Sequence, residues 1–258
     1  MDPLRSAGYY DRLAPEYDQQ LSRPGDLWVR GAFQEFVRAR LTPGARLLDF
    51  GCGTGIDAVW YAAQGYRVLA FDNSEGMIAR LRLNCAAAIE RRQIEPWLGG
   101  YESFQADLAA HGPIEAVAAN FAVVNLLPAL GPWFATLARR LAPGSGVFLS
   151  ALNPLSLDEI SKPRGFLRAL RHAFGDGIPF PDAQSPHFRY WPSAIARAAA
   201  GFQLVSLAGP ASLIRYDQGP RDWRHPASLG ERLEQHLYQR ALWRHVGRFT
   251  FLELRRCG

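Results

Sequence analysis

Three glycines at alternate positions, Gly51, Gly53 and Gly55, follow the carboxylate of Asp49 in the stretch LLDFGCGTGID, residues 47–57. A glycine-rich turn between a strand and a helix lets backbone N–H groups close on an anion, most often a phosphate. An acid two residues ahead of the first glycine repels a phosphate. The pairing suits a ligand that presents a cation and hydroxyls. Asp72 ends the next apolar run, YRVLAFD, and Asn120 ends a later one, IEAVAAN. In an open parallel sheet, ligands gather outside the carboxyl ends of the strands, where these three polar residues would stand.

The elements that must position them follow from periodicity. From residue 45 to 150, short apolar runs alternate with helical patterns, which predicts an α/β fold with a doubly wound, parallel sheet. ARLLDF, introduced by the turn TPGA, reads as strand one; IDAVWYAAQG reads as a helix stopped by Gly65. After strand two, Ser74 reads as an N-cap with Met77, Ile78 and Leu81 at helical spacing behind it. QIEPWLGG carries Pro96, which an edge strand tolerates and a central one does not. IEAVAAN, a helix near LGPWFATLARRLAPG and GVFLSALN complete the alternation.

Beyond Asn153 the pattern changes. Residues 154–190 are rich in proline and glycine around a basic helical stretch, GFLRALRHAF, and read as an insertion over the sheet. A helix, PSAIARAAAG, and a strand, FQLVSL, come next. A long helix is expected around LGERLEQHLYQRALWRHVG, with Leu229, Leu233 and Leu237 on one stripe, and RFTFLEL is a last strand. The expected organisation is a single domain over residues 1–258. Residues 1–44 form a helical lid, 45–153 the ligand-binding core, and 154–190 and 212–247 cap insertions.

The 258 residues, 48% of them apolar, suffice for one large α/β domain. Asp2, Arg5 and Asp11 interrupt any leader-like apolar segment, and the longest apolar stretch contains Glu115, Asn120, Asn125 and Pro128, so no membrane span is expected. Three scattered cysteines, Cys52, Cys85 and Cys257, give neither a disulfide framework nor metal spacing. A soluble, cytoplasmic protein without a metal is the expectation. The net charge of +5 divides into −1 over residues 1–150 and +6 over 151–258. A basic C-terminal part could face an anionic partner or simply carry solvated helix faces.

A nicotinamide dinucleotide needs a small residue at the sixth position of its glycine fingerprint, where this chain has Ile56, and its pyrophosphate would meet Asp49. S-adenosylmethionine has no phosphate and carries an ammonium and a sulfonium. Asp49 would favour the ammonium, Asp72 the ribose hydroxyls, and the first helical turn after Gly55 the carboxylate. LLDFGCGTG and VLAFDNSEGM resemble the first two motifs of the class I S-adenosylmethionine-dependent methyltransferases. EAVAANFAVVN and RRLAPGSGVFLS resemble their strands four and five, and YYDRLAPEYD is similar to the aromatic lead-in of small-molecule members. The resemblance covers residues 9–153 well and the last two strands loosely.

That resemblance implies a Rossmann-like, mostly parallel sheet whose last strand is antiparallel, with S-adenosylmethionine as cofactor. It places Gly51, Gly53 and Gly55 along the methionine moiety, Asp72 on the ribose, Asn73 beside the adenine and Asn120 near the reacting methyl. The family places an acid in the turn after strand three; here Glu102 substitutes for it or backbone groups of Tyr101 suffice, with Ser103 beside them, unless the strand runs later and Asp107 is the acid.

Tyr9, Tyr10 and Tyr17 would either form a water-excluding lid or pack an amphipathic helix onto the sheet. Arg30 would pair with the methionine carboxylate or lie on a solvated helix face. Cys52 reads as a packing residue. His187, in SPHFRYW, is the candidate general base, Tyr17 is the second candidate catalytic residue, and His111 lies in the loop before strand four. Methyl transfer to an already nucleophilic acceptor needs no base, only in-line positioning in a dry site. Asn120-Phe121-Ala122-Val123 is not the Asn/Asp-Pro-Pro-aromatic turn of base and amide methylation, and no RNA-binding module is recognisable. A small or medium-sized acceptor, anionic if the basic part faces it, is expected, and nucleic acid is disfavoured. The rival readings are a protein that binds S-adenosylmethionine without transferring methyl, and an NAD-dependent oxidoreductase.

Overall fold

The computed structural model describes residues 4–154, 156, 178–180, 187–211, 222–240 and 243–258. The strands are β1 (Arg46–Phe50), β2 (Arg67–Asp72), β3 (Ile94–Leu98), β4 (Ala116–Ala119), β5 (Gly146–Leu152), β6 (Ile178–Phe180), β7 (His187–Arg189), β8 (Phe202–Ala208) and β9 (Phe249–Arg256). Seven of them form one sheet in the order β3-β2-β1-β4-β5-β9-β8, and β6 pairs with β7 apart from it. β1 to β5 are parallel, with Asp49 level with Ala70 and Ala118. β9 is antiparallel to both β5 and β8, so it alone runs against the rest. The chain order reverses between β1 and β4, the switch point at which open α/β sheets bind ligands.

The helices are α1 (Leu4–Leu13), α2 (Tyr17–Gln20), α3 (Pro24–Arg38), α4 (Ile56–Ala63), α5 (Glu75–Asn84), α6 (Ala86–Glu90), α7 (Tyr101–Asp107), α8 (Gly131–Ala138), α9 (Pro192–Ala198) and α10 (Leu229–Leu237). Strands buried on both faces read as continuous apolar runs, and two core layers result. One packs Trp28, Phe33 and Phe36 of α3 and Tyr61 of α4 onto the sheet with Phe148 and Phe251. The other gathers Phe50, Phe71, Trp97, Phe104, Trp133 and Phe134. Pro96 sits on β3 at the sheet edge, level with Ala70 of β2, as its missing N–H requires.

Ser74 caps α5 by accepting from Met77 N at 3.1 Å. Asp11 of α1 reinforces that end, accepting from Ser74 Oγ at 2.6 Å and Gly76 N at 2.9 Å. A Cβ at Gly76 would lie 3.0 Å from Asp11 Cα, so the missing side chain lets α1 approach α5. Asp18 ties α2 down in the same way, accepting from Thr54 Oγ1 and, at 3.0 Å, from Asn84 Nδ2.

The C-terminal helix differs from the expected long one. α10 has nine residues, starts in a capping box between Ser228 and Glu231, and ends at Leu237. Two leucines of its stripe face outward and Leu237 is half-buried: Leu229 is 74% exposed, whereas Glu234 is 1% exposed. Glu231 turns inward to accept from Ala227 N and Ser228 N at 2.7 and 3.0 Å, which caps the helix start. Part of the basic excess is strapping. Arg255 donates to Gly144 O and Arg40 O, and Arg256 to Ala138 O and Gly201 O. The basic stretch GFLRALRHAF, most of the 154–190 insertion and residues 212–221 lie outside the described residues. Among the described residues, no helix is long and apolar enough to cross a membrane.

Candidate active site

β1 delivers Asp49 to its carboxyl end, 2% exposed, with Oδ2 lacking any hydrogen-bond partner among the described residues. Burial, then the charge of Asp57, pushes the Asp49 carboxyl well above the ordinary carboxylate range, against the opposing pull of Arg30. The turn that follows is built from left-handed glycines, with φ of +74°, +53° and +90° at Gly51, Gly53 and Gly55. Gly51 N and Cys52 N both donate to Phe71 O, at 2.8 and 2.9 Å, which fixes the turn against β2. A Cβ at Gly51 would lie 2.2 Å from Val123 Cγ2, and one at Gly55 2.6 Å from Cys85 Sγ. Only glycine fits at these two positions.

Asp72, at the end of β2, accepts from Gly53 N at 2.9 Å and Ser74 N at 2.9 Å. The two bonds aim its carboxylate across the glycine turn. Burial raises its pKa, and those backbone donors oppose the rise. Asn73 follows it, half-buried. Tyr101, Glu102 and Ser103 form the first turn of α7, directly after β3 as expected. Tyr101 Oη is buried without a partner among the described residues, and burial pushes the phenol up to about 12. Glu102 is exposed, and Ser103 Oγ donates to Gly100 O at 2.9 Å.

The N-terminal tyrosines form a chain. Tyr9 meets Tyr10 edge to face at 5.2 Å, and Tyr10 meets Tyr17 at 6.3 Å. Tyr17 Cε1 lies 3.5 Å from where a Cβ of Gly53 would be, so this ring covers the turn. Burial, then Tyr10, raises the Tyr17 phenol above its ordinary value. Burial, then Asp72, raises the Cys52 thiol, as befits a packing residue.

Arg30 is not on a solvated face. It is 7% exposed, ion-paired with Asp57 and stacked 4.3 Å over the Phe121 ring. Burial works against its charge, but Asp57 and Tyr17 outweigh it and hold the guanidinium pKa up. Asp57 also accepts from Gln34 Nε2 at 2.8 Å and Asn120 Nδ2 at 3.1 Å, and Asn120 Oδ1 accepts from Phe121 N at 2.8 Å. The sequence reading missed Asp57, Gln34 and Phe121. The available signals were an acid two residues past the last glycine and a polar i,i+4 pair on α3.

After Asn120 the backbone is left-handed at two successive non-glycine residues, Phe121 (φ 48°) and Ala122 (φ 61°). Such strain persists where surrounding contacts over-determine it, often at functional sites. Here Ala122 N donates to Ser150 O at 2.9 Å. β7 docks on the 3-10 turn that follows, with Asn125 Nδ2 donating to Phe188 O at 2.5 Å and Tyr190 Oη to Leu127 O at 2.6 Å. His187 opens β7, half-buried. His111 is structural: it is bonded to Glu95 at 2.8 Å and stacked against Trp97.

Two buried acids and a guanidinium around a glycine-rich turn fit a zwitterionic ligand with vicinal hydroxyls better than a pyrophosphate. The comparisons agree. The profile of the methyltransferase domain family matches residues 27–207. The chain is 32% identical over 205 residues to a ubiquinone biosynthesis O-methyltransferase of Xanthomonas axonopodis pv. citri, covering 78% of this chain and 77% of that protein. The CcbJ methyltransferase of Streptomyces caelestis superposes with a TM-score of 0.63 at 19% identity, covering all of both chains. A 1,6-didemethyltoxoflavin-N1-methyltransferase of Burkholderia thailandensis, solved with S-adenosylhomocysteine, superposes with a TM-score of 0.60 at 17% identity, over 100% of this chain and 92% of that one. These last two likenesses concern the fold. The chain belongs to the class I S-adenosylmethionine-dependent methyltransferases.

Proposed function

We propose that this enzyme methylates a small or medium-sized acceptor, held at the carboxyl end of β4 between the N-terminal helices and β7. The observation that carries the cofactor reading is the pair of buried acids, Asp49 and Asp72, at adjacent strand ends over a turn with no room for a Cβ at Gly51 or Gly55. When bound, S-adenosylmethionine supplies a methyl group activated on a sulfonium. Asp49 takes the ammonium, Arg30 the carboxylate and Asp72 the ribose hydroxyls. Asn73, Tyr101, Glu102 and Ser103 flank the adenine, and Gly51, Gly53 and Gly55 let the backbone approach. Asn120 lies beside the methionine end. Tyr9 and Tyr17 exclude water, which favours in-line displacement of the methyl by a positioned nucleophile.

The relatives support the acceptor size: one is named for ubiquinone biosynthesis, and another holds 1,6-didemethyltoxoflavin. The basic balance of residues 151–258 favours an anionic acceptor. His187 is the proposed base for acceptors that must lose a proton. His187→Ala should leave S-adenosylhomocysteine affinity unchanged while lowering turnover about 100-fold, the scale of general-base catalysis. Normal turnover in that variant removes the base and leaves positioning alone. Asp72→Ala should weaken S-adenosylhomocysteine by about 1–3 kcal/mol, the range for hydrogen bonds to a charged group. Unchanged affinity in titration calorimetry contradicts the ribose role.

Acceptor class is tested by incubating the enzyme with methyl-labelled S-adenosylmethionine and a size-fractionated cell extract. Label should enter the low-mass fraction. Label confined to RNA or protein overturns the small-molecule reading.

A further inference from the structure

We infer that Asp57 is a positioning residue that holds Arg30 for the cofactor's carboxylate and locks the same assembly to the turn after β4. This rests on the reading of Arg30 as the carboxylate's partner. Arg30 and Gln34 stand one helical turn apart on α3, and both donate to Asp57, Gln34 at 2.8 Å. From the sheet side, Asn120 donates to the same carboxylate at 3.1 Å. Asn120 in turn receives Phe121 N at 2.8 Å, and the Phe121 ring lies 4.3 Å from the Arg30 guanidinium carbon. The contacts therefore close a ring: Arg30, Asp57, Asn120, Phe121 and back to Arg30.

Each member limits the others. One guanidinium nitrogen is spent on Asp57 and one face on Phe121, while Nε, buried, has no hydrogen-bond partner among the described residues. A buried charged group with a spare donor points to a further acceptor, and a carboxylate matches that edge in charge and geometry. Asp57 belongs to α4 at the glycine turn, Asn120 and Phe121 to the strained turn, and Arg30 to the N-terminal helices. A shift in α3 must therefore move the turn after β4, so the amino-acid end of the cofactor and the acceptor side become ordered together.

The test is titration calorimetry of wild type and Asp57→Asn with S-adenosylhomocysteine and with 5′-methylthioadenosine, which keeps the nucleoside and lacks the amino-acid end. Asp57→Asn preserves shape but turns one acceptor oxygen into a donor facing other donors. S-adenosylhomocysteine should weaken roughly tenfold or more, the scale of a charge-assisted bond, while 5′-methylthioadenosine changes less than about twofold. Arg30→Gln should give the same selective loss, and the double variant should lose no more than Arg30→Gln alone. A purely structural role weakens both compounds together, or leaves both unchanged, and overturns the inference. Loss of S-adenosylhomocysteine affinity in Asp57→Asn but not in Arg30→Gln overturns it as well. Wild-type protein that binds neither compound overturns the cofactor reading itself, and the inference with it. If Asp57→Asn does not fold, Gln34→Ala applies the same test more gently. A several-fold selective loss then supports the ring, and parallel changes overturn it.

Discussion

Replacing Asp49 by Asn should raise the melting temperature of the cofactor-free protein by about 2–6 °C and weaken S-adenosylhomocysteine binding about 10- to 100-fold. Asp49 is almost fully buried, and one of its oxygens has no partner among the described residues. Keeping such a carboxyl ionised is expensive, and the fold raises its pKa by burial and by the neighbouring charge of Asp57. A group whose pKa is higher in the folded than in the unfolded chain stabilises the fold fully below its unfolded pKa. That contribution disappears as pH rises through the folded pKa. Removing the ionisable group, and with it the cost of burying an acid that the unfolded chain keeps ionised, should therefore return about 1–2 kcal/mol near neutral pH, in the range seen when a functional site is relaxed.

The cofactor's ammonium needs the opposite state. Binding should draw Asp49 into its ionised form and release a proton, so affinity should rise with pH over the window in which the empty fold loses stability. Calorimetry in two buffers of different ionisation enthalpy reads that proton directly. Wild type should show release and Asp49→Asn should not. An Asn variant that is less stable and binds normally would remove Asp49 from the ammonium site.

Gly51→Ala should cost the fold about 2–5 kcal/mol, combining a left-handed backbone and an overpacked contact. The φ of +74° disfavours any Cβ, and the Cβ would meet Val123 Cγ2 at 2.2 Å and Val123 Cβ at 2.9 Å. Val123 begins the 3-10 turn after β4, so this substitution also presses the glycine turn against the strained segment at Phe121 and Ala122. The two causes separate in the double variant. Gly51→Ala with Val123→Ala should regain the packing part, about 1–3 kcal/mol, and keep the backbone part. Urea unfolding of the single and double variants checks this, and a double variant no better than the single one would place the whole cost in the backbone.

Much of this site was legible in the chain because its determinants are local. Alternate glycines, the acids ending β1 and β2, the Ser74 cap and the edge-strand proline each act within a few residues, and each stands where periodicity predicted. The ring around Asp57 was not legible, since Arg30 and Asp57 are 27 residues apart and meet only through packing of α3 against α4. For Arg30 the sequence left a solvated face open, and tertiary burial decided otherwise. The α10 leucines misled for a related reason. Helical spacing identifies an apolar stripe, but the packed face of α10 carries Glu231 and Glu234 and leaves Leu229 in solvent.

The measurement that bears most directly on the central claim is titration calorimetry of the purified protein with S-adenosylhomocysteine, run beside NAD and NADP. The arrangement of Asp49, Asp72 and Arg30 around the glycine turn predicts saturable binding of S-adenosylhomocysteine and none of either dinucleotide. Binding of NAD or NADP without S-adenosylhomocysteine would contradict it, because a pyrophosphate would then have to sit beside Asp49.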